Sequence, residues 1–390
     1  MHPQQLQVLL FFVWGCFRVH GRSIRGRNLG QRQSVLNNNG GFRNPEDMVD
    51  LFGTPYIVIC SWPETTLDRT SIGELSLLNT ETKRKIKFAS LQKSNDESSN
   101  LSPFADPTCQ PKRLRRIGSH GVDVYQNHDY DNPDGPFSWE VAVLNHNQYE
   151  SIEFFLLNFG NDDVNTQLPT LQQIGCTRLT EGDVHNNLSY NKDKTKLAVT
   201  MWYDSYLGIQ GQLNFAKSFF RKKPGGDGSL KLVTAGGNVE TLTDNLNGPN
   251  GVMYGIGKGF RHSIFVAESP NNRVVVVDDR TGTVEHLPKL SDTSSPDNLS
   301  REYTATGRRT NTFLITRLDS SFAQASACGV LGAGCNLDFT VLRYNWKHDT
   351  LEEVYSGTME GQATVAIIKE DALYVGNFRI PGIVKVTGFR

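Results

Sequence analysis

The chain has 390 residues, 40 of them basic and 41 acidic, for a formal charge of −1. That balance removes any whole-chain electrostatic reason to bind nucleic acid. With 37% hydrophobic residues and 36 glycines, the composition supports a sizeable core and many tight reversals, which favours β structure over helix bundles.

The chain opens on an apolar run, LQVLLFFVWGCF over residues 6–17, which fits the core of an export signal and is short for a bilayer span. Residues 1–21 therefore read as a signal peptide, cleaved near Gly21 or retained as a membrane attachment. Residues 22–44 are basic and then Asn- and Gly-rich, the composition of a mobile tail. Strand-like runs follow: PYIVICS from Pro55, WEVAVLN from Trp139, SIEFFLLN from Ser151 and TKLAVTMWY from Thr195. The series continues with SIFVAES from Ser263, RVVVVDD from Arg273, FTVLRYNW from Phe339, ALYVGNF from Ala372 and GIVKVTGF from Gly382. Branched and aromatic residues fill them, and Gly, Pro, Asn and Asp separate them.

Some of these runs pair as strand, short polar turn and strand, most clearly in IFVAESPNNRVVVVDDRTGTVEHL. That is how a propeller blade reads in sequence, and residues 45–390 have room for about six blades. The fold class is thus all-β, a six-bladed β-propeller; a β-sandwich or jelly roll with insertions is the competing architecture. Polar stretches at residues 94–103, 128–136 and 224–228 read as surface loops. Residues 215–223, FAKSFFRKK, combine aromatics with positive charge and read as either a solvated loop or a lipid or lipoprotein contact.

Cys16 lies in the apolar run, leaving Cys60, Cys109, Cys176, Cys328 and Cys335, an odd set in which one thiol stays free or pairs between chains. Cys328 and Cys335 flank a Gly-rich turn and form the local disulfide candidate; pairing among the other three stays open. Glycosylation sequons begin at Asn100, Asn187 and Asn298, and Asn100 sits in the stretch expected to be exposed.

Candidate chemistry lies just ahead of the strand-like runs. Glu46 and Asp47 precede the first, Asn186 and Asn187 the third unit, Asn250 lies in LNGPNGVMY, and Asp297 and Asn298 lie in SSPDNLS. These are hard oxygen donors of the kind Ca²⁺ takes in irregular sets of six to eight, whereas zinc patterns are absent. Read singly, each is also an ordinary turn residue. His120 in SHGVDV and His146 in LNHNQYE stand at strand edges, either as a proton-relay pair or as two unrelated histidines.

SHGVDV followed by WEVAVLNHNQYESIEFF, together with NPEDM, GPNGVMY, IFVAES, SPDNLS and VYSGTMEGQATVAIIKEDALYVGNF, resembles in order the serum paraoxonase/arylesterase family across residues 45–390. The resemblance implies a six-bladed propeller with two calcium ions in its central tunnel. It places a catalytic calcium on Glu46, Asn186, Asn250, Asp297 and Asn298, and a deeper structural calcium on Asp47, the Val122 carbonyl and Asn187. It makes His120 and His146 the catalytic pair. The implied activity is calcium-dependent hydrolysis of a small-molecule aryl ester or lactone, with organophosphate triesters as a side activity, in a secreted protein.

The chain departs from the family pattern in three ways. Asn187 stands where the family has Asp, and a one-residue shift would instead align His185 and Asn186. An Asp-rich insertion, HDYDNPDG, separates His120 from His146. No cysteine is placed to join the N- and C-terminal strands, so the ring must close by hydrogen bonding. Two other functions stay in view: a non-enzymatic, membrane-associated assembly factor of the same family, and another propeller lactonase or strictosidine-synthase-like protein without the histidine pair.

Overall fold

Runs such as YIVICS, EVAVLN and RVVVVD are too short and too rich in branched residues for helices, and they become the middle strands of six four-stranded antiparallel sheets. In this computed structural model the described residues are 32–36, 42–62, 73–93, 101–111, 113–127, 138–147, 149–159, 168–180, 183–203, 228–255, 260–286, 294–304, 309–320, 336–378 and 381–388. Asn100, Cys328, Cys335, the export segment, the insertion at 128–135 and the aromatic-basic stretch at 215–223 lie outside them.

One strand lies ahead of the first blade: β1, Arg32–Leu36. The first blade is β2 (Pro45–Leu51), β3 (Tyr56–Ser61), β4 (Glu74–Asn79) and β5 (Lys85–Lys87). The second is β6 (Ser119–Gln126), β7 (Ser138–Asn145), β8 (Ser151–Asn158) and β9 (Thr170–Arg178). The third is β10 (Val184–Tyr190), β11 (Leu197–Tyr203), β12 (Gly228–Thr234) and β13 (Asn238–Leu246). The fourth is β14 (Pro249–Tyr254), β15 (Ser263–Glu268), β16 (Arg273–Asp278) and β17 (Val284–His286). The fifth is β18 (Ser295–Tyr303), β19 (Arg309–Leu318), β20 (Asn336–Asn345) and β21 (Thr350–Glu360). The sixth has β22 (Gln362–Lys369), β23 (Ala372–Phe378) and β24 (Ile383–Thr387), and takes β1 as its fourth strand. Contacts between first strands run β2–β6–β10–β14–β18–β22 and back to β2, which closes a six-bladed β-propeller around a central tunnel.

Within the stretch 22–44, residues Arg32–Leu36 form a strand. Arg32 pairs with Thr387 and Leu36 with Ile383 in an antiparallel ladder, Leu36 is buried, and Gln33 hydrogen-bonds the Tyr355 hydroxyl of the fifth blade. Gln33, Ser34 and Val35 are exposed and Leu36 is buried, so this edge strand is anchored by one side chain. The propeller thus includes residues 32–36 as well as the stretch from 45 onward. As expected without a terminal disulfide, hydrogen bonds close the last blade.

The apolar core lies between blades. Leu51, Val58 and Leu77 of the first blade pack with Val124, Trp139 and Phe155 of the second. Met253, Phe265 and Ala267 of the fourth pack with Phe313, Leu342 and Tyr344 of the fifth. Met48 and Ile57 meet Val365 and Tyr374 where the sixth blade meets the first. A disulfide joins Cys109 to Cys176 with 5.7 Å between Cα atoms, tying the segment ahead of β6 to β9. Cys60 is buried and unpaired, and burial pushes its thiol well above the ordinary value, so it is chemically inert.

Candidate active site at one mouth of the tunnel

The polar stretches that read as turns ahead of strands are themselves the inner strands. PEDMVDL is β2, SHGVDVYQ is β6, VHNNLSY is β10, PNGVMY is β14 and SPDNLSREY is β18. Their register breaks near the start, between Pro45 and Asp47, Ser119 and Val122, His185 and Leu188, Pro249 and Val252, and Pro296 and Leu299. Such bulges re-aim side chains at the rim of a sheet. Every candidate donor lies in or beside one of these breaks, so residues distant in sequence share one mouth.

Two glycines permit the close approach. A Cβ on Gly121 would stand 2.6 Å from the Asn186 carbonyl oxygen and 2.7 Å from the Asn187 Cα. A Cβ on Gly251 would stand 2.6 Å from the Asn298 Cα and 2.7 Å from the Asp297 carbonyl oxygen. The obstacles are backbone, so the strands themselves would have to part. Gly251→Ala is expected to cost about 1–3 kcal/mol of stability in denaturant titration. An unchanged midpoint would show that β14 and β18 do not approach this closely.

Within the mouth, Glu46, Asn250 and Asn298 are buried and Asp297 is half-buried. Glu46 Oε2, Asn250 Oδ1 and Asp297 Oδ1 are buried without a hydrogen-bond partner among the described residues. Burial raises the Asp297 carboxyl well above its ordinary value, the charges of Glu46 and Asp47 raise it further, and only the Asn250 side chain lowers it. No cationic side chain is among these neighbours. Hard oxygens converging with excess negative charge and no partner fit a calcium ion. Among the described residues no three His, Cys, Asp or Glu side chains form a metal cage alone, so amide oxygens would have to complete the set. Asn186 lies beside Gly121 and is buried.

The donors of the deeper site are engaged within the protein. Asp47 accepts from the Val122 N–H at 2.8 Å and the Met48 N–H at 2.9 Å, so Val122 presents its N–H toward Asp47. Asn187 donates to Asn298 Oδ1 at 2.7 Å and its own Oδ1 accepts from Leu188 N at 2.6 Å; Asn298 in turn donates to the Glu46 carbonyl at 3.3 Å. The orphaned oxygens thus support the upper set, Glu46, Asn250 and Asp297, while these bonds hold the lower set as a small hydrogen-bonded network.

His120 and His146 meet. His146 Nε2 stands 3.1 Å from His120 Nδ1, and His120 Nε2 stands 3.4 Å from Glu46 Oε1. The sequence reading missed two neighbours. Glu150 places one carboxylate oxygen 2.6 Å from His146 Nδ1 and the other 3.3 Å from His185 Nδ1. Trp62 packs its ring 4.5 Å from His120 and 4.9 Å from His146, centroid to centroid. A carboxylate four residues after a candidate histidine, in a turn short enough to join two paired strands, was the available signal for Glu150; nothing in the sequence marked Trp62. His185 joins this chain of groups through Glu150.

The contact with Glu150 fixes one proton of the pair. Burial alone would raise Glu150, but His146 and His185 hold its carboxyl at about 2, so it is ionised and can only accept. His146 then carries a proton on Nδ1, and in the tautomer where its Nε2 accepts from His120 Nδ1–H, His120 Nε2 is the unprotonated nitrogen, 3.4 Å from Glu46 Oε1.

No family model matches the chain, and no curated protein does. Solved structures with a similar course include a luciferin-regenerating enzyme, 12% identical over 92% of this chain and 96% of that one, TM-score 0.49. Others are the calcium-binding protein regucalcin from Agrobacterium tumefaciens (16% identity, 91% and 92% coverage, TM-score 0.47) and a PQQ-bound aldose sugar dehydrogenase from Streptomyces coelicolor (13%, 92% and 99%, 0.47). Similarity at this level goes no further than the general architecture.

Proposed function

We propose that the chain is a calcium-dependent hydrolase of esters and lactones. The observation that carries this reading is the meeting, in one buried mouth, of oxygens of Glu46, Asn250 and Asp297 that have no partner among the described residues with a histidine pair whose His120 Nε2 reaches Glu46 Oε1. Those three residues would hold the ion, with Asn186 and Asn298 on the same rim. A calcium ion bound there supplies a Lewis acid for the substrate carbonyl and for the oxyanion that develops on it.

The chain's own residues account for the proton. His120 Nε2 removes it from the attacking water, and the proton on Nδ1 is shared with His146 across 3.1 Å. Glu150 fixes the tautomer of His146 and stabilises the positive charge that the pair acquires. Trp62 covers both rings and limits their access to bulk water. A serine nucleophile has no support, since no GxSxG turn occurs in the sequence.

The testing experiment is hydrolysis of phenyl acetate and a lactone panel with and without EDTA. Turnover is expected with calcium and none with chelator. His120→Gln is expected to keep its calcium and lose about 10²-fold in kcat/KM. A parent protein that binds calcium yet turns over no ester or lactone would overturn the hydrolase reading in favour of a non-enzymatic role.

The reading extends to the secretory pathway. The apolar start of the chain and the Cys109–Cys176 disulfide suit an oxidising compartment. Among the described residues no helix is long and apolar enough to cross a membrane. Asn187 and Asn298 are buried, so the reading takes Asn100 as the glycosylated sequon.

A further inference from the structure

The far end of the tunnel carries a second group of unpartnered polar atoms, opposite in charge to the first. β18 runs from Asp297 at the calcium mouth to Arg301 and Tyr303, so Arg301 lies about 13 Å further along the strand axis. Arg309 opens the adjoining β19. The Arg301 guanidinium reaches across the tunnel, donating from Nη2 to the Tyr254 carbonyl at 2.9 Å and to Ser189 Oγ at 3.4 Å. Its Nε and Nη1, together with Arg309 Nη1 and Tyr303 Oη, are buried with no hydrogen-bond partner among the described residues.

The acids nearby are already committed. Asp50 pairs with Lys369, Glu140 with Lys194 at 2.7 Å, and Glu302 with Arg343 at 2.9 Å. Asp123 spends its two oxygens on the N–H groups of Val124 and Tyr190, at 2.9 and 2.8 Å. Arg309 and Lys194 also share the ring of Tyr125, at 6.0 and 5.3 Å from its centroid. Phe52 stacks on Tyr303 at 4.3 Å and fixes the phenol. Two guanidinium groups and a phenol thus converge; the charge of Asp123 acts on Arg309 from nearby, but among the described residues neither guanidinium has an ion-pair partner.

We propose that Arg301, Arg309 and Tyr303 form a binding site for a small oxyanion at the end of the tunnel opposite the histidine pair. Guanidinium forks match the paired oxygens of phosphate and carboxylate alike, and the phenol adds a third donor. Burial and the charge of Arg301 push the Arg309 guanidinium below its ordinary value, a repulsion that a bound anion relieves. The site shares no residue with the hydrolytic mouth, so it stands whether or not that activity is found.

The test uses the full chain at constant ionic strength in chloride, acetate or inorganic phosphate, followed by calorimetric titration and thermal unfolding. Phosphate is expected to bind one to one and to raise the melting temperature above that in chloride, since it binds the folded state alone. Acetate acting in place of phosphate would keep the site and assign it to carboxylates. Arg309→Met is expected to abolish the anion-dependent shift without lowering the midpoint in chloride, because it removes a repelled buried charge. Tyr303→Phe, which keeps the stacking on Phe52, is expected to weaken binding several-fold and serves if Arg309→Met does not fold. No binding of either oxyanion, or parent-like binding by a folded Arg309→Met or by Tyr303→Phe, would overturn the proposal.

Discussion

A chain that starts at Asn37 is expected to melt at least about 5 °C below one that starts at Arg22, and to aggregate as concentration rises. The shorter chain lacks β1. It loses the burial of Leu36, worth about 2 kcal/mol, and a ladder of hydrogen bonds with β24 worth about 1 kcal/mol each. Releasing five ordered residues returns much of that, at about 1–2 kcal/mol each, so local accounting leaves a small net loss. The larger effect comes from what β1 covers: β24 becomes an open edge, and the contact with Tyr355 of the fifth blade disappears. Leu36→Asp in the longer chain is expected to behave in the same way, because it keeps the length and removes the buried anchor. Equal melting curves for all three chains would show that β1 does not hold the ring closed.

Asp297→Asn is expected to abolish calcium-dependent hydrolysis while making the metal-free protein more heat-resistant near neutral pH. The two effects have opposite signs for one reason. Asp297 is held well above its ordinary value by burial and by the charges of Glu46 and Asp47. Burial, against two backbone hydrogen bonds, pushes Asp47 from 3.8 to about 8. A carboxyl raised on folding keeps its proton more tightly in the folded state. Its stability is full below the unfolded value and is lost as pH rises through the folded one. In chelator, therefore, the parent should lose stability steadily as the pH rises from about 4 to about 8, and added calcium should restore it. With Asn at 297 the decline in chelator should be shallower, since one of the repelling carboxylates is gone, and calcium should rescue little. Melting temperature against pH, with and without calcium, is the measurement, beside calcium content and kcat/KM. A variant with full calcium content and full activity would remove Asp297 from the site.

Much of the architecture was legible in the middle strands. YIVIC, VAVLN, IFVAE and LYVGN are buried on both faces, VVVVD on one face and partly on the other, and all declare themselves by composition. The inner strands were harder, because residues that line a polar tunnel look like turn residues. In VHNNLSY or SPDNLSREY the Asn, Asp and Ser side chains meet one another across the tunnel, and only the partner strands reveal that the backbone is extended. β1 was hidden for another reason: of its RQSVL only Leu36 is buried, and it belongs to a sheet built 347 residues later, where Leu36 meets Ile383. In the site, the ordered matches gave the oxygen donors and the two histidines their positions. Glu150 and Trp62 could not be found that way, since each acts through contacts with the rings and repeats no motif. The disulfide of Cys109 and Cys176 was equally hidden, because proximity there depends on a segment folding back over β9.

Because each apolar cluster is shared by two neighbouring blades, no blade has an interior of its own. Excising one would strip two faces at once and leave a gap that its neighbours could fill only by bending every remaining joint. In an open stack of repeats, the end units can fray one at a time; a closed ring has no end unit from which to begin. Gradual loss of structure is thereby replaced by a single concerted opening, and a change in the number of blades would have to arrive as one whole duplicated unit, with the tunnel diameter changing in the same step.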